Sequence, residues 1–251
     1  GYATLARPYH DIENNVESRR LIDYGTRYSG SVSVSAETKF QGLELLYRRG
    51  VKRGCSDVDF LIGWRWLQLK DELWIGDSVT DSELQHGTDM YDVFDAANNF
   101  HGVEFGIEWE RPLSCYWTLE LLGKMAIGNT HSLVTIDGQT TTVTGNGTTV
   151  VDGGLLALDS NMGSHTRDSL SAITEIGLSL KRRLHCGVEL TFGYSFVYWS
   201  DVLRAGDQVD LDVNLSQASG GTLVGLGYPV VPMKSTDFWA QGLHFGLEYD
   251  F

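Results

Sequence analysis

FWAQGLHFGLEYDF, residues 238–251, is the stretch that decides the fold, because large apolar residues alternate along it with small or charged ones. Successive side chains of a β-strand point to opposite faces, so this alternation predicts a half-buried, amphipathic strand. The apolar face carries Trp239, Leu243, Phe245, Leu247, Tyr249 and Phe251, and the opposite face carries Ala240, Gly242, His244, Gly246, Glu248 and Asp250.

The same alternation recurs in six upstream segments, so about seven strands are predicted in this chain. A strand of about twelve residues rises about 40 Å, and a tilt of about 40° matches its height to an apolar band about 25 Å tall. We therefore predict an all-β fold, an antiparallel, up-and-down transmembrane β-barrel over residues 31–251. Residues 1–30 are expected to be an extracellular loop or a remnant of missing N-terminal strands. The six segments are 31–48, 57–69, 100–110, 116–127, 171–181 and 187–199.

The composition is typical of neither a membrane helix nor a nucleic-acid-binding protein. The mean hydropathy is −0.15 and no apolar run approaches the length of a spanning helix, whereas barrel strands need only one apolar face. The net charge of −14 argues against nucleic acid as a partner, because phosphate binding needs clustered Lys and Arg. Gly1 opens directly into polar sequence without a signal peptide, so we expect a mature form or, preferably, a fragment.

The predicted connections alternate in length, as they do in outer-membrane barrels with short periplasmic turns and long external loops. On that pattern the carboxyl terminus lies on the periplasmic side. The short connections are 49–55, 111–115 and 181–186, and the long ones are 71–99, 128–170 and 200–237.

Each predicted strand has one aromatic face and one face of charged or small residues. A soluble sandwich or ligand-binding barrel is the alternative, but it would hide the aromatic side chains and leave a face of glutamates and glycines as its surface. We therefore expect lipid outside and water inside. The predicted lipid-facing residues are Trp64, Trp66, Phe105, Trp109, Trp117, Phe192, Phe196, Phe245 and Phe251. The predicted lumen-facing residues are Glu44, Asp59, Arg65, Glu104, Glu108, Glu120, Lys124, Glu175, Glu189, His244 and Glu248.

The predicted inner charges allow two interpretations. They could form a cation-preferring polar pathway, or a salt-bridged filling that holds a narrow barrel together. A barrel of about ten strands is little wider than the eight-stranded type, whose interior is filled by side chains.

Three cysteines fall in or beside the short turns, on one side of the predicted barrel: Cys55, Cys115 and Cys186. A disulfide between neighbouring turns and unpaired thiols both remain open, and the spacing is not that of a zinc site. The stretch SDVLRAGDQVDLDVN contains four aspartates. Its Asp-x-x-Asp-x-Asp pattern lacks the glycine and the distal glutamate of an EF-hand calcium-binding loop, so we predict a solvated acidic loop. No metal or other cofactor is expected.

The enzymatic alternative is an outer-membrane hydrolase that would use loop histidines and aspartates to activate water. The chain has no G-x-S-x-G, no H-E-x-x-H and no P-loop, so we expect no catalytic residues. The nearest acid and base candidates are His131, Asp159, His165 and Asp168.

Four stretches of the chain carry a family resemblance. YSFVYWSDVLRAGDQVDLDVN (194–214), STDFWAQGLHFGLEYDF (235–251), LARPY (5–9) and GSVSVSAETKFQGLELLYRR (30–49) resemble β-barrel porins known mainly from planctomycete bacteria. The resemblance implies an outer-membrane location and a barrel of roughly ten strands, of which this chain is the carboxyl-terminal part. An odd number of antiparallel strands supports the same view, because a closed barrel with both termini in the periplasm needs an even number.

A final strand that stops on an aromatic residue also resembles the signal that barrel-insertion machinery reads, here ending at Phe251. The function expected from these resemblances is a porin with a narrow, acidic lumen that passes small ions or solutes through the outer membrane. The alternative is a non-conducting structural or adhesion protein that presents long extracellular loops. Lipid and the insertion machinery are the expected partners, and the oligomeric state stays open.

Overall fold

The computed structural model describes residues 4–53, 56–184 and 187–249, and their regular structure is almost entirely β-strand. Two short 3₁₀ helices, Ala205–Gln208 and Leu215–Gly220, are the exceptions. No helix in these ranges is long and apolar enough to cross a membrane. The predicted all-β class is confirmed. The strands are β1 (Leu5–Asp11), β2 (Val16–Asp23), β3 (Tyr28–Arg53), β4 (Ser56–Asp81), β5 (His86–Pro112), β6 (Trp117–Thr144), β7 (Gly147–Asp152), β8 (Gly163–Arg183), β9 (Val188–Leu203), β10 (Asp212–Val213) and β11 (Ser235–Tyr249).

Seven of these strands form one curled, antiparallel sheet shaped like a half-barrel, in the order β11-β9-β8-β6-β5-β4-β3. Each of the seven predicted segments overlaps a different strand of this sheet, and the up-and-down order is confirmed apart from the short β7, which pairs with β6. β3 and β11 are the two edges, and no ladder joins them within the described ranges. Closure into a barrel of about ten strands stays a prediction.

Four strands of the sheet, β4, β5, β6 and β8, are about twice as long as the sequence predicts. β4, β5 and β6 have 26, 27 and 28 residues. The long connections predicted at 71–99 and 128–170 are wrong for much of their length, because β4 continues to Asp81 and β5 already begins at His86. A 27-residue strand rises about 90 Å, which leaves about 70 Å of height at a tilt of about 40°. The sheet is therefore far taller than an apolar bilayer band.

Burial distinguishes two faces of the sheet, which we call inner and outer. Along β4 the odd-numbered Leu61 and Arg65 are buried on the inner face, whereas Phe60 and Ile62 are exposed on the outer face. We call the end with the short connection at 113–116 the lower end, and the end with the turn at 82–85 the upper end.

The chain itself fills the inner face in the upper half. β1 and β2 form a hairpin that also pairs with β10 in a separate three-stranded sheet. This hairpin, the segment 153–162 and the end of β9 pack against β5 and β6 in an apolar cluster, the upper core. Residues 5–23 thus form a hairpin, and their assignment to an extracellular loop or to a remnant of missing strands stays a prediction. The upper core contains Tyr9, Met90, Phe94, Ala96, Val134, Ile136, Leu155, Leu156, Ala157, Leu158, Leu203, Ala205 and Val213.

Buried aspartates attach this filling to the sheet. Arg7 of the hairpin donates to Asp77 of β4 at 2.8 Å and also to Asp92 of β5. Asp92 additionally accepts the backbone N–H groups of Leu156 and Ala157, each at 2.9 Å. Burial opposes the charge of Arg7, but the two carboxylates raise its pKa above the ordinary value. Asp92 therefore fixes both the hairpin and the segment 153–162 against β5.

The two edges of the sheet approach each other near mid-height. The rings of Phe40 on β3 and Phe238 on β11 are 5.1 Å apart, centre to centre. Arg204, just after β9, donates to Asp71 of β4 at 2.7 Å and lies over the Phe238 ring at 5.8 Å. Side-chain contacts thus connect the two ends of the sheet at this level.

Candidate functional site

Five charged side chains on the lower inner face form what we call the charged network. Arg65 of β4 donates to Glu104 of β5 at 2.6 Å and to Glu175 of β8 at 2.5 Å. Lys124 of β6 contacts Glu44 of β3 at 2.7 Å and Glu175 at 3.1 Å. Because β4 and β8 are not neighbours in the sheet, the Arg65–Glu175 pair crosses the space inside the curl.

The strand periodicity positions this network. Glu44, Arg65, Glu104 and Lys124 all occupy inner positions on four consecutive strands, where burial leaves the side chains of Arg65 and Glu104 7% and 0% exposed. Buried charges persist only when they are paired, since an isolated charge in a low-dielectric interior is very costly. The carboxylates of Glu44, Glu104 and Glu175 lie within 4.8 Å of one another, close enough for a metal ion, but two protein cations already contact them.

Further ion pairs continue the network toward the lower end. Arg48 contacts Asp59 and, at 2.5 Å, Glu108. Lys181 lies 2.6 Å from Glu120 and 3.6 Å from Glu110, and Arg183 lies 3.8 Å from Glu189. On β11, His244 Nε2 lies 3.4 Å from Ser179 Oγ, and Glu248 is exposed. The structure therefore gives ten of the eleven predicted inner charges a polar contact and leaves Glu248 at an exposed edge.

Arg48 and Lys181 are counter-ions that the sequence analysis does not place in the site. Arg48 lies at the end of the predicted segment 31–48, and Lys181 lies where the predicted segment 171–181 meets the short connection 181–186. The alternation of faces along a strand could have found them. Arg48 is an even number of positions from Glu44 and shares its face, and Lys181 is an even number of positions from Glu175 and shares its face.

An apolar layer lies directly above the charged network; we call it the middle layer. Phe100 and Trp199 pack edge to face, with ring centres 6.1 Å apart, and both side chains are fully buried. Trp199 Nε1 donates to Thr130 Oγ1 at 3.2 Å, so its polar atom is satisfied. The inner face is filled at this level by side chains from six of the seven long strands. The middle layer contains Leu67, Leu69, Phe100, Ala126, Ile173, Trp199, Val202 and Phe238.

The buried side chain of Asn98 separates the middle layer from the upper core. Its amide nitrogen donates to the carbonyl of Leu203, and its oxygen accepts the Leu203 N–H, both at 2.8 Å. Ser132 donates to the same oxygen at 2.8 Å. Asn98 thus takes the place of a strand partner where β9 ends inside the curl.

The outer face of the lower half is apolar, and it carries the residues predicted to face lipid. Trp64, Phe105 and Phe192 are 40%, 52% and 48% exposed, and Phe245 on the edge strand is 77% exposed. Trp66, Trp109 and Phe196 are half-buried and Trp117 is exposed, whereas Phe251 lies outside the described residues. Aromatic pairs across strands, such as Phe192 with Phe245 at 5.1 Å, cover part of this surface.

Polar residues border this apolar band at both ends. Above it lies one row of polar residues that are cross-strand partners on five strands. The side-chain amide of Gln41 donates to Gln68 at 2.9 Å, and that of Gln68 donates to Asn99 at 2.6 Å. Below it, the guanidinium of Arg182 lies 5.1 Å from the centre of the Trp117 ring. Such borders of amphipathic and aromatic residues are typical of membrane–water interfaces. The upper row, which we call the polar row, consists of Gln41, Gln68, Asn99, His131 and Asp168.

Of the candidates for an enzymatic site, the structure brings together only one pair. His131 Nδ1 lies 3.1 Å from Asp168 Oδ1 within the polar row, exposed on the outer face. His165 instead lies 3.2 Å from the carbonyl oxygen of Asn161, and Asp159 belongs to the segment 153–162. His131 and Asp168 are direct partners on the neighbouring strands β6 and β8, so their contact is one of the cross-strand contacts of the polar row.

The cysteines and the acidic loop have different outcomes. Cys115 is exposed, but Cys55 and Cys186 lie outside the described residues, so the disulfide prediction stays a prediction. Asp201, near the end of β9, pairs with Arg167, and Asp210 in the loop after β9 accepts the N–H of Val230 at 2.8 Å. These aspartates therefore stabilise the loop through contacts with other protein groups.

Comparison with known proteins gives one match. The model of a family described as Putative beta barrel porin-7 (BBP7) matches residues 1–251, the whole chain. No curated protein and no solved structure matches it.

Proposed function

Because the chain belongs to this beta-barrel porin family, we propose that it is a β-barrel protein of the bacterial outer membrane whose interior is closed by its own side chains. It anchors a tall extramembrane sheet at the cell surface and does not conduct ions in this conformation. This is the structural or adhesion alternative of the sequence analysis. The observation that supports this proposal is that side chains fill the inner face at three successive heights. From the lower end upward these are the charged network, the middle layer and the upper core.

Membrane insertion is supported by the outer face. The apolar band between the Arg182–Trp117 pair and the polar row covers the lower part of all seven long strands. On β8, Arg182 and Asp168 are fourteen positions apart, a rise of about 46 Å, which a tilt of about 40° reduces to about 35 Å. That height accommodates an apolar band with its two interfaces. Insertion would use the carboxyl-terminal strand as the signal for the barrel-insertion machinery.

Closure of the interior is supported by the energetics of the inner face. Opening a path through the middle layer would expose Phe100 and Trp199 to water, at about 1.5–3 kcal/mol for each large side chain. Opening the charged network would separate Arg65 from Glu104 and Glu175, which leaves buried charges without partners. Both changes would have to occur together for ions to pass.

The test is single-molecule conductance in planar lipid bilayers. We expect the wild-type protein to insert without steady current steps. The double variant Trp199→Ala/Arg65→Ala should admit a small ion current, because it removes both the largest buried side chain of the middle layer and the cation that joins Glu104 to Glu175. Phe192→Ala on the outer face is the matched control and should behave like the wild type. Steady current steps from the wild-type protein would contradict the closed interior.

A second candidate is the conducting porin with a narrow, acidic lumen that passes small cations. It is favoured by the excess of carboxylates on the lower inner face, where Arg48 and Lys181 each contact two acidic residues. If conduction is observed, Glu104→Gln and Glu108→Gln should reduce its preference for cations. Unchanged conductance and ion preference in both variants would remove this candidate.

A further inference from the structure

A cavity of about 480 Å³ lies at the upper end of the molecule, away from the charged network. The β1–β2 hairpin, the upper ends of β4 and β5, the segment 153–162 and the second 3₁₀ helix enclose it. Its size is that of pockets that hold small organic ligands. The residues that the argument uses are Arg19, Arg20, Asp81, His86, Leu155 and Ala218.

One cationic side chain of the cavity wall has no counter-ion. Arg19 is exposed and makes no ion pair with any described residue, and the half-buried His86 makes none either. Arg20 is engaged elsewhere, because its Nε donates to Asp77 at 2.9 Å and its Nη2 is buried with no surface open to the cavity. A guanidinium without a protein partner favours a ligand that supplies acceptor oxygens, because it can donate two parallel hydrogen bonds to a carboxylate.

The acidic residue of the cavity wall is already satisfied. Asp81 accepts from Arg27 at 3.1 Å and from the backbone N–H groups of Glu83 and Leu84 at 2.9 and 3.1 Å. The charge without a counter-ion at the cavity is therefore that of Arg19, in a chain whose net charge is −14. A free positive charge in such an acidic protein is a site for an anion.

Much of the rest of the wall is apolar and is suited to a ligand with an apolar body. It includes leucine side chains from the hairpin, the segment 153–162 and the second 3₁₀ helix, together with Val79 and Met90 of the sheet. We propose that this cavity binds a small organic carboxylate with an apolar body, its carboxylate at Arg19 and its body against Leu155 and its neighbours. This site goes beyond the proposed function and does not depend on membrane insertion.

The test is isothermal titration of the full chain, refolded in detergent, with benzoate and with the neutral analogue benzyl alcohol. We expect benzoate to bind and benzyl alcohol to bind at least about tenfold more weakly, since it lacks the charge. Arg19→Gln should weaken benzoate binding about tenfold by removing the free charge. Ala218→Phe should weaken it similarly by filling the cavity while every charge stays in place.

Arg182→Gln, at the opposite end of the molecule, is the matched control and should bind benzoate like the wild type. Circular dichroism and heat-dependent gel migration show that each variant is folded before titration. Absence of benzoate binding to the wild type, equal binding of benzyl alcohol, or equal losses in Arg182→Gln and Arg19→Gln would each overturn the proposal. Conductance and insertion are separate readouts, so failure of the binding site is distinguishable from failure of the proposed function.

Discussion

The lower and upper halves of the same strands have opposite polarity. In the lower half of β5, Phe105 is outside and Glu104 inside, whereas in the upper half Phe94 is inside and Asp95 outside. β4 and β6 change in the same way, near Trp66 and near Asn129. A strand with lipid outside needs an apolar outer face, and a strand with water outside needs an apolar core. The proposed membrane location accounts for this difference, since one continuous sheet would then have lipid outside its lower half and water outside its upper half.

The largest loss of stability is expected from a substitution in the upper core. Phe94→Ala removes a fully buried ring and should lower the free energy of unfolding by about 3–5 kcal/mol, because a cavity remains. Phe105→Ala, on the outer face of the same strand, should cost less, since lipid or detergent can fill the space. Urea unfolding followed by tryptophan fluorescence measures both. Equal losses would mean that the two halves do not differ as described.

A charge on the outer face should distinguish the halves next. Val103→Lys, in the apolar band of β5, should cost about 2–4 kcal/mol in a bilayer and lower the yield of insertion. Val93→Lys, on the same face in the upper half, should change stability by no more than about 0.5 kcal/mol. Insertion into lipid vesicles, assayed by heat-dependent gel migration, compares the pair. A harmless Val103→Lys would argue against lipid at that position.

The attachment of the upper filling should have a smaller, local effect. Asp92→Asn weakens the bonds to Arg7, Leu156 and Ala157 and should cost about 1.5–3 kcal/mol, as expected for hydrogen bonds to a charged group. Hydrogen exchange should accelerate in the hairpin and in the segment 153–162 and stay unchanged at the lower end. Asp95→Asn, on the outer face of β5, is the control. Unaltered exchange in Asp92→Asn would show that this residue does not fix the filling.

The smallest effect is a pH dependence at the upper turn. Burial opposes the charge of Asp81, but the amides of Leu84 and Glu83 and the guanidinium of Arg27 hold its pKa below the usual value. A lowered pKa means that the stabilisation is complete at higher pH and is lost as the pH falls below about 4. Protection of the Glu83 and Leu84 amides should fall in that range. Asp81→Asn should abolish this dependence, and an identical acid profile in that variant would assign the effect to another group.

The sequence predicted the strands of the lower half well but missed their upper halves for an identifiable reason. Apart from Leu61 and Trp74, the large apolar residues of β4 occupy even positions up to Trp66 and odd positions from Leu67 onward. The outward alternation therefore ends at Trp66, close to the end of the predicted segment at residue 69, although β4 continues to Asp81. A reversal of apolar parity without an intervening turn residue is the signal that would have found the continuation.

The candidate site was predictable as a set of residues but not as a set of pairs. The alternation of apolar and polar residues is enough to assign Arg65, Glu104 and Glu175 to the inner face of their respective strands. The contact between Arg65 and Glu175 joins strands that are not neighbours, so it depends on the curl of the sheet, which no local pattern contains. The pairing of Arg7 with Asp77 was hidden for the same reason, since it joins a hairpin to a strand 70 positions away.

The most direct measurement of the change in solvent is a nitroxide scan along the outer face of β5 in phospholipid vesicles. The three native cysteines are replaced by serine, and single cysteines carry the label at Val103, Phe105 and Ile107 in the lower half and at Tyr91, Val93 and Asp95 in the upper half. The account predicts that oxygen, which concentrates in lipid, relaxes the lower labels more strongly. A water-soluble nickel complex should relax the upper ones. Equal access of the nickel complex to all six positions would contradict the account.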